Sequence, residues 1–318
     1  MKKKRLLPYG FIFFICFCWF IYYLSPYTIN YAKELGIIRM NHQSKKEKVT
    51  LEPLDLLKKP KSPTKESVNF YKHISTILTD TAASFNGEVG ISYIDLTTGN
   101  YCSVNDQKEF YTASTIKVPL TMLVADTVTS GEKNWQDKIP YHAETDYEEG
   151  TGILCYNTQP AYSLGTLQKY AIIYSDNIAK NMLYDTLGGS ETAKKEIYSR
   201  YLKKKAPDDL ENISFNSKDA ARILTILYEQ KSKNKEYQQI YENMKNTIFH
   251  ERMETDLTKN KVAHKIGSYN NFIHDIGIFE APHPFILTIF TNGENGSQFI
   301  SQLTDEIWSF QTTHYPAT

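Results

Sequence analysis

Apolar positions along this chain first run without interruption and then settle into two different periods. Leu6–Leu24 is 19 residues without a charge. As a helix rising 1.5 Å per residue it would reach roughly 28 Å, close to the ~30 Å hydrocarbon thickness of a bilayer. From residue 66 the pattern changes. Val68, Tyr71, Ile74, Leu78 and Ala82 recur at the spacing of an amphipathic helix over Glu66–Phe85. Val89–Asp95 alternates as a strand does, Thr97-Thr98-Gly99-Asn100 is turn chemistry, and Tyr101–Val104 completes a predicted hairpin. Residues 115–246 are mostly helical by period, most clearly at Leu167–Tyr174, Ile178–Leu187 and Lys218–Tyr228. Gly188-Gly189 closes one of these helices, and Asn216 or Ser217 opens another. Strand patterns return at Val262–Ile266, Ile273–Phe279 and Phe285–Thr291, before a helix over Gln298–Phe310. Strands at both ends and helices between predict an α+β fold. One antiparallel sheet is completed by both ends of the chain, flanked by helices and interrupted by an inserted all-helical lobe.

Charge sharpens the division between the N-terminal run and the rest. The 318 residues carry 36 basic and 36 acidic groups, yet residues 1–65 hold 13 Lys+Arg against 4 Asp+Glu. The remaining chain therefore has 36−13 = 23 basic and 36−4 = 32 acidic groups, a balance of −9. An acidic body without a basic stripe argues against nucleic acid as a partner. Lys2, Lys3, Lys4 and Arg5 precede the apolar run. The expectation is a cytoplasmic tail at 1–5, a single-pass anchor at 6–24 and everything beyond it outside a bacterial-type cytoplasmic membrane. No small-x-small cleavage pattern follows the run, so an uncleaved anchor is preferred to a signal peptide. Residues 25–65 read as a stalk, with seven lysines and three prolines between 41 and 65. Residues 66–318 read as one folded domain. Outside the membrane, Cys102 and Cys155 are free to form a disulfide or to remain two buried thiols.

The first chemical signal is Tyr111-Thr112-Ala113-Ser114-Thr115-Ile116-Lys117-Val118-Pro119-Leu120. On a helix, Ser114 and Lys117 share a face. If the helix opens near Ser114, its amides stabilise negative charge developing at the reacting oxygen. A desolvated lysine gives up its proton more readily and takes the proton of the serine. Ser-x-x-Lys also occurs at Ser62/Lys65, Ser130/Lys133 and Ser232/Lys235 in polar surroundings, whereas Ser114 leads into the apolar run Val118–Ala125. A helix cap beside a solvated lysine is the bland alternative.

Tyr174-Ser175-Asp176-Asn177 lies between two helical segments. It reads either as a helix break and cap or as a site, with Ser175 Oγ relaying a proton beside Ser114 and the Asn177 amide clamping substrate. In Ala263-His264-Lys265-Ile266-Gly267-Ser268, a strand lysine is suited to a substrate carboxylate, and Gly267 permits close approach of a ligand backbone. Other features carry little chemistry. His142, His250, His264, His274 and His283 fit no metal-ligand spacing, Gly293-Glu294-Asn295-Gly296 is a turn, and Lys203-Lys204-Lys205 is a solvated charge run.

Together, Ser114-Thr115-Ile116-Lys117, Ser175-Asp176-Asn177 and Lys265-Ile266-Gly267 resemble the class A β-lactamase and penicillin-binding-protein family. Gly150–Leu154, Asn177–Gly189 and His274-Asp275-Ile276-Gly277 extend the resemblance, which covers residues 66–318. It implies a five-stranded antiparallel sheet with an all-helical lobe, the site lying in the cleft between them. It also implies Ser114 as the acylated nucleophile, Lys117 as its base and Ser175 as the proton donor to the leaving nitrogen. Asn177 would hold the acylamide, Lys265 the carboxylate region, and the N–H groups of Ser114 and Ser268 an oxyanion hole.

Two departures qualify the match. Ile266 replaces the usual Thr or Ser between the lysine and glycine of the third motif, removing a hydroxyl. The stretch 201–216 is short and lacks the family's Glu in register for a deacylating water. Asp208, Asp209 and Glu211 are its only carboxylates, Glu211 being the first candidate base. The expectation is a membrane-anchored serine hydrolase opening a β-lactam, needing no cofactor or metal and deacylating slowly. A D,D-peptidase or esterase acting on an acyl-D-alanyl peptide is the alternative, followed by a β-lactam receptor without turnover.

Overall fold

The computed structural model describes residues 65–316. The predicted span at 6–24 and the stalk before residue 65 lie outside the described residues. Among the described residues, no helix is long and apolar enough to cross a membrane.

The sheet forms from the two ends of the described chain. Strand β1 (Gly87–Asp95) turns through Thr97–Asn100 into β2 (Tyr101–Val104), and β1 also pairs antiparallel with the last strand. After β7 (Val262–Tyr269) and β8 (Phe272–Phe279), β9 (Phe285–Gly293) runs beside β1 from Gly87↔Gly293 to Asp95↔Phe285. The order is β2-β1-β9-β8-β7, five antiparallel strands, as the resemblance implied. Side chains of alternate parity leave opposite faces, so each face needs its own cover. One face packs under α1 (Lys65–Ser84) and α9 (Gly296–His314), where Phe70, Ile74 and Leu78 meet Tyr93, Leu287 and Leu303.

The other face supports the helical lobe. The chain leaves β3 (Phe110–Tyr111) through a 3₁₀ turn, Ala113–Ile116, into α2 (Lys117–Thr129). Every residue of α2 from Lys117 to Ala125 is buried, because other helices surround it. Around it lie α4 (Leu164–Ile173), α5 (Asn177–Thr186), α6 (Ser190–Ile197), α7 (Ser217–Lys231) and α8 (Lys235–Lys245). The small pairs β3–β6 (Ser214–Phe215) and β4–β5 (Lys138–Pro140 with Ala161–Ser163), and the one-turn α3 (Ala143–Asp146), were not read from sequence. Strands of two or three residues and a single helical turn are too short to display a period, and none of these is marked by a hairpin turn as β2 is. The sequence left the pairing of Cys102 and Cys155 open; both are free thiols, Cys102 buried and Cys155 partly so.

Candidate active site

Ser114 sits in a turn held from three sides. Thr112 N donates to Ile213 O (3.1 Å), Thr115 Oγ1 donates to Thr112 O (2.6 Å), and His274 Nε2 donates to Tyr111 O (2.8 Å). Burial lowers the His274 pKa to about 4, so the ring is neutral at pH 7 and its Nδ1 accepts from Thr291 N. Ala113, just before the serine, has φ +44°, a left-handed value that costs a non-glycine residue about 1–3 kcal/mol. A helix opening near Ser114 was one condition of the reading; Ser114 occupies the 3₁₀ turn Ala113–Ile116, which runs directly into α2 at Lys117. The two side chains still meet, with Lys117 Nζ donating to Ser114 Oγ across 2.9 Å.

Ser175-Asp176-Asn177 is both a helix cap and the segment that brings Asn177 to the cleft. Asp176 caps α5 by accepting from Ala179 N (2.8 Å), and its Oδ2 accepts from Ile153 N (2.7 Å) and Leu154 N (2.8 Å). Gly152 makes this possible: at φ +131°, an added Cβ would stand 2.3 Å from Asp176 Oδ2. With Asp176 fixed, its neighbours turn toward Lys117. Lys117 Nζ donates to Ser175 O (2.6 Å), Ser175 Oγ (3.2 Å) and Asn177 Oδ1 (2.8 Å). Ser175 is also left-handed, at φ +51°. Asn177 Nδ2 makes no hydrogen bond among the described residues and remains a donor for a ligand.

Strand β7 closes the set from the sheet side. Lys265 is fully buried, and its Nζ donates to Ser175 Oγ (2.9 Å) and Ile266 O (3.0 Å). Gly267 is expected from sequence to admit a ligand backbone; its contacts supply another reason for glycine. A Cβ there would lie 3.0 Å from Thr115 Cγ2 and 3.2 Å from Thr112 O, so its absence lets β7 press on the Ser114 turn. Arg252 braces this corner by donating to Gly267 O (3.0 Å), His274 O (2.7 Å) and Ser268 Oγ (2.6 Å). Sequence reasoning missed Arg252, which lies between α8 and β7 within no motif.

Burial governs the charges. Lys117 is 1% exposed, and desolvation holds its pKa well below the ordinary lysine value. The like charges of Lys265 and Lys180 push the same way, opposed by Glu148 and Asp176. Burial also lowers Lys265, to about 7, with Asp275 opposing and Arg252 adding to the shift.

A cleft of about 150 Å³ opens over this cluster. Of the residues expected from sequence, Ser114, Lys117, Asn177, Ser268 and Glu211 line it, whereas Ser175, Lys265 and Gly267 stand behind its wall. Glu211 belongs to a turn in which Asp209 Oδ1 accepts from Glu211 N (3.0 Å) and Asn212 N (3.1 Å), and its own carboxylate accepts no hydrogen bond among the described residues. Two further lining residues, Glu148 and Lys180, form an ion pair of 2.8 Å that sequence reasoning missed. Lys180 follows Asn177 by one helical turn, a spacing that could have drawn attention to it; Glu148 has no such signal. A hydroxyl bonded to a desolvated amine, with a second hydroxyl on that amine, is an arrangement able to perform acyl transfer.

The fold has counterparts among solved structures. PBP-A superposes with a TM-score of 0.67 at 20% identity, over 82% of this chain and 98% of that one. A single-residue variant of PBP-A, in its acyl-enzyme complex with penicillin G, gives 0.65 at 20% identity over 76% and 96%. A β-lactamase from Sphaerobacter thermophilus gives 0.65 at 22% identity over 78% and 99%. At these identities the likeness speaks for the fold. Residues 69–311, most of the chain, match the profile of the Beta-lactamase enzyme family, and the protein belongs to that family.

Proposed function

We propose that the protein is a serine hydrolase that opens a β-lactam amide through an acyl-enzyme on Ser114 and releases the product slowly. The observation that carries this reading is the 2.9 Å contact between Ser114 Oγ and the buried Lys117 Nζ. Desolvation favours the neutral amine, which takes the serine proton as Oγ attacks the carbonyl carbon. Ser175, bonded to Lys117 and Lys265, passes a proton to the departing nitrogen, and the C–N bond breaks. The free Asn177 Nδ2 donates to the acylamide oxygen. Backbone N–H groups of Ser114 and Ser268 receive the oxyanion. Lys265, behind the wall, contributes positive field for the substrate carboxylate and none of the direct bonding that a hydroxyl at 266 would give.

Hydrolysis of the ester needs a water beside a base. Glu211, the carboxylate closest to the family's pattern in sequence, is exposed and untethered, which supports slow deacylation. The same observation favours a second reading, a penicillin-binding D,D-peptidase acting on an acyl-D-alanyl peptide, in which β-lactam capture is the side reaction. The sequence of residues 1–24 supports attachment of this body to the outer face of a cytoplasmic membrane.

Intact-mass spectrometry with excess penicillin G tests the proposal. An adduct of one ligand mass on Ser114, persisting for minutes, is expected. A chromogenic cephalosporin should release about one equivalent in a burst before slow turnover. Rapid steady turnover with neither burst nor adduct overturns slow deacylation; an adduct on another residue overturns the assignment of the nucleophile.

A further inference from the structure

Glu148 lies between α3 and α5 and shares the 150 Å³ cleft with Ser114, Lys117 and Asn177. Its two oxygens are unequal. Oε2 accepts from Lys180 Nζ (2.8 Å) and Asn181 Nδ2 (3.0 Å), while Oε1 accepts from no described residue. The tether is also a link to the reacting groups. Asn177, Lys180 and Asn181 are separated by three and four residues on α5 and so share one helical face. Asn177 Oδ1 accepts from Lys117, so one rigid helix holds both Lys117 and Glu148. The charges act on each other across the cleft: Glu148 favours the protonated amine of Lys117, and Lys117 favours the ionised carboxylate. Glu211 shares the cleft but has no comparable tether.

We propose that Glu148 is the general base for the water that hydrolyses the acyl-Ser114 ester. This rests on Ser114 being the acylated residue, as argued above. The cleft of about 150 Å³ has ample room for a water between Oε1 and the ester, since a single water needs only about 10–15 Å³ of such space. Oε1 takes one proton of that water as its oxygen bonds to the acyl carbon. The bond from that carbon to Ser114 Oγ then breaks, and the proton on Glu148 returns to Oγ by way of Lys117. The net change is ester plus water to carboxylic acid plus serine hydroxyl. Lys180 makes Glu148 a weak base, since their hydrogen bond and charge attraction lower its pKa despite partial burial. Release is therefore slower than capture, although a carboxylate is present.

The test follows adduct formation and adduct decay separately in the full-length, detergent-solubilised chain. Penicillin G is added, excess ligand is removed, and intact mass is recorded over time. Glu148→Gln, nearly isosteric, should acquire the adduct within about threefold of the wild-type rate and lose it at least tenfold more slowly. In Glu148→Ala, added formate should restore part of the decay rate, a rescue that a purely structural role would not give. Wild-type decay in Glu148→Gln, or no formate rescue, overturns the proposal. So does a result in which Glu211→Gln, rather than Glu148→Gln, prolongs the adduct. If wild-type Ser114 never acquires an adduct, the reading of the nucleophile fails and takes this proposal with it. An adduct that forms normally but decays independently of Glu148 removes only this one.

Discussion

Lys265 Nζ donates to Ser175 Oγ across 2.9 Å, although the two residues are 90 positions apart. The contact joins the outer strand β7 to the turn opening α5, and so couples the sheet to the helical lobe directly behind Ser114. Both groups are buried, so neither has water as an alternative partner. Ser175 Oγ thus lies between two lysines, Lys117 at 3.2 Å and Lys265 at 2.9 Å.

The buried Lys265 should leave a signature in stability. In the folded chain its proton is lost near pH 7, whereas an unfolded chain holds it to about 10.5. Between these values the unfolded state binds more protons, so stability rises with pH through this window. Lys117 shifts in the same direction and keeps part of the rise. Above about pH 10 the buried tyrosines reverse it, because the pKa values of Tyr93 and Tyr101 are raised in the folded chain. Urea midpoints from pH 7 to 9 should increase in wild type and increase less in Lys265→Met. The difference in slope should be up to about 1.4 kcal/mol per pH unit. Equal slopes would show that Lys265 is not the titrating group.

Ser114→Ala should abolish labelling by a fluorescent penicillin while costing only about 1–2 kcal/mol of stability. Lys117 Nζ keeps three other acceptors after the change, on Ser175 and Asn177, so the buried amine is not left without partners. Ser130→Ala and Ser232→Ala, at exposed helix ends, should label as wild type. Gel fluorescence and a melting curve report both quantities, and labelling that survives in Ser114→Ala removes the nucleophile.

Gly267→Ala should slow acylation more than it destabilises the fold. The new methyl would press on Thr115 Cγ2 and Thr112 O, two atoms of the turn that orients Ser114. Overpacking of this kind costs about 1–3 kcal/mol, and the displacement it forces falls on the nucleophile. A fall of at least tenfold in the acylation rate constant is expected by stopped-flow labelling. A wild-type rate would mean that the turn yields without moving Ser114.

The anchor reading has a direct topological test. Protease added to intact cells should release a fragment of about 250 residues by cutting in the lysine-rich stretch before residue 65. Protection of the fragment until the cells are lysed would reverse the orientation.

The sequence by itself determined the architecture and most of the residues around Lys117. Strands β1, β7, β8 and β9 read as short runs rich in β-branched and aromatic residues because both faces of the sheet are covered, and α1, α5 and α7 repeat every three to four residues because each buries one face. The Ser114/Lys117 spacing stood out from three similar pairs because the run after it is apolar, which reflects the burial of α2 on every side. Tertiary structure decided what local pattern does not encode. Glu148 and Arg252 come from irregular segments, and their partners are 32–33 and 15–45 residues away. Periodicity reports only which face of an element is buried, so it is silent about such contacts. It is equally silent about why residue 267 is glycine, since the turn pressing on it lies some 150 positions earlier in the chain. The perturbed lysines belong to the same class. A sequence shows that a lysine is present; only the packing of a helix and a strand around it removes its water and lowers its pKa.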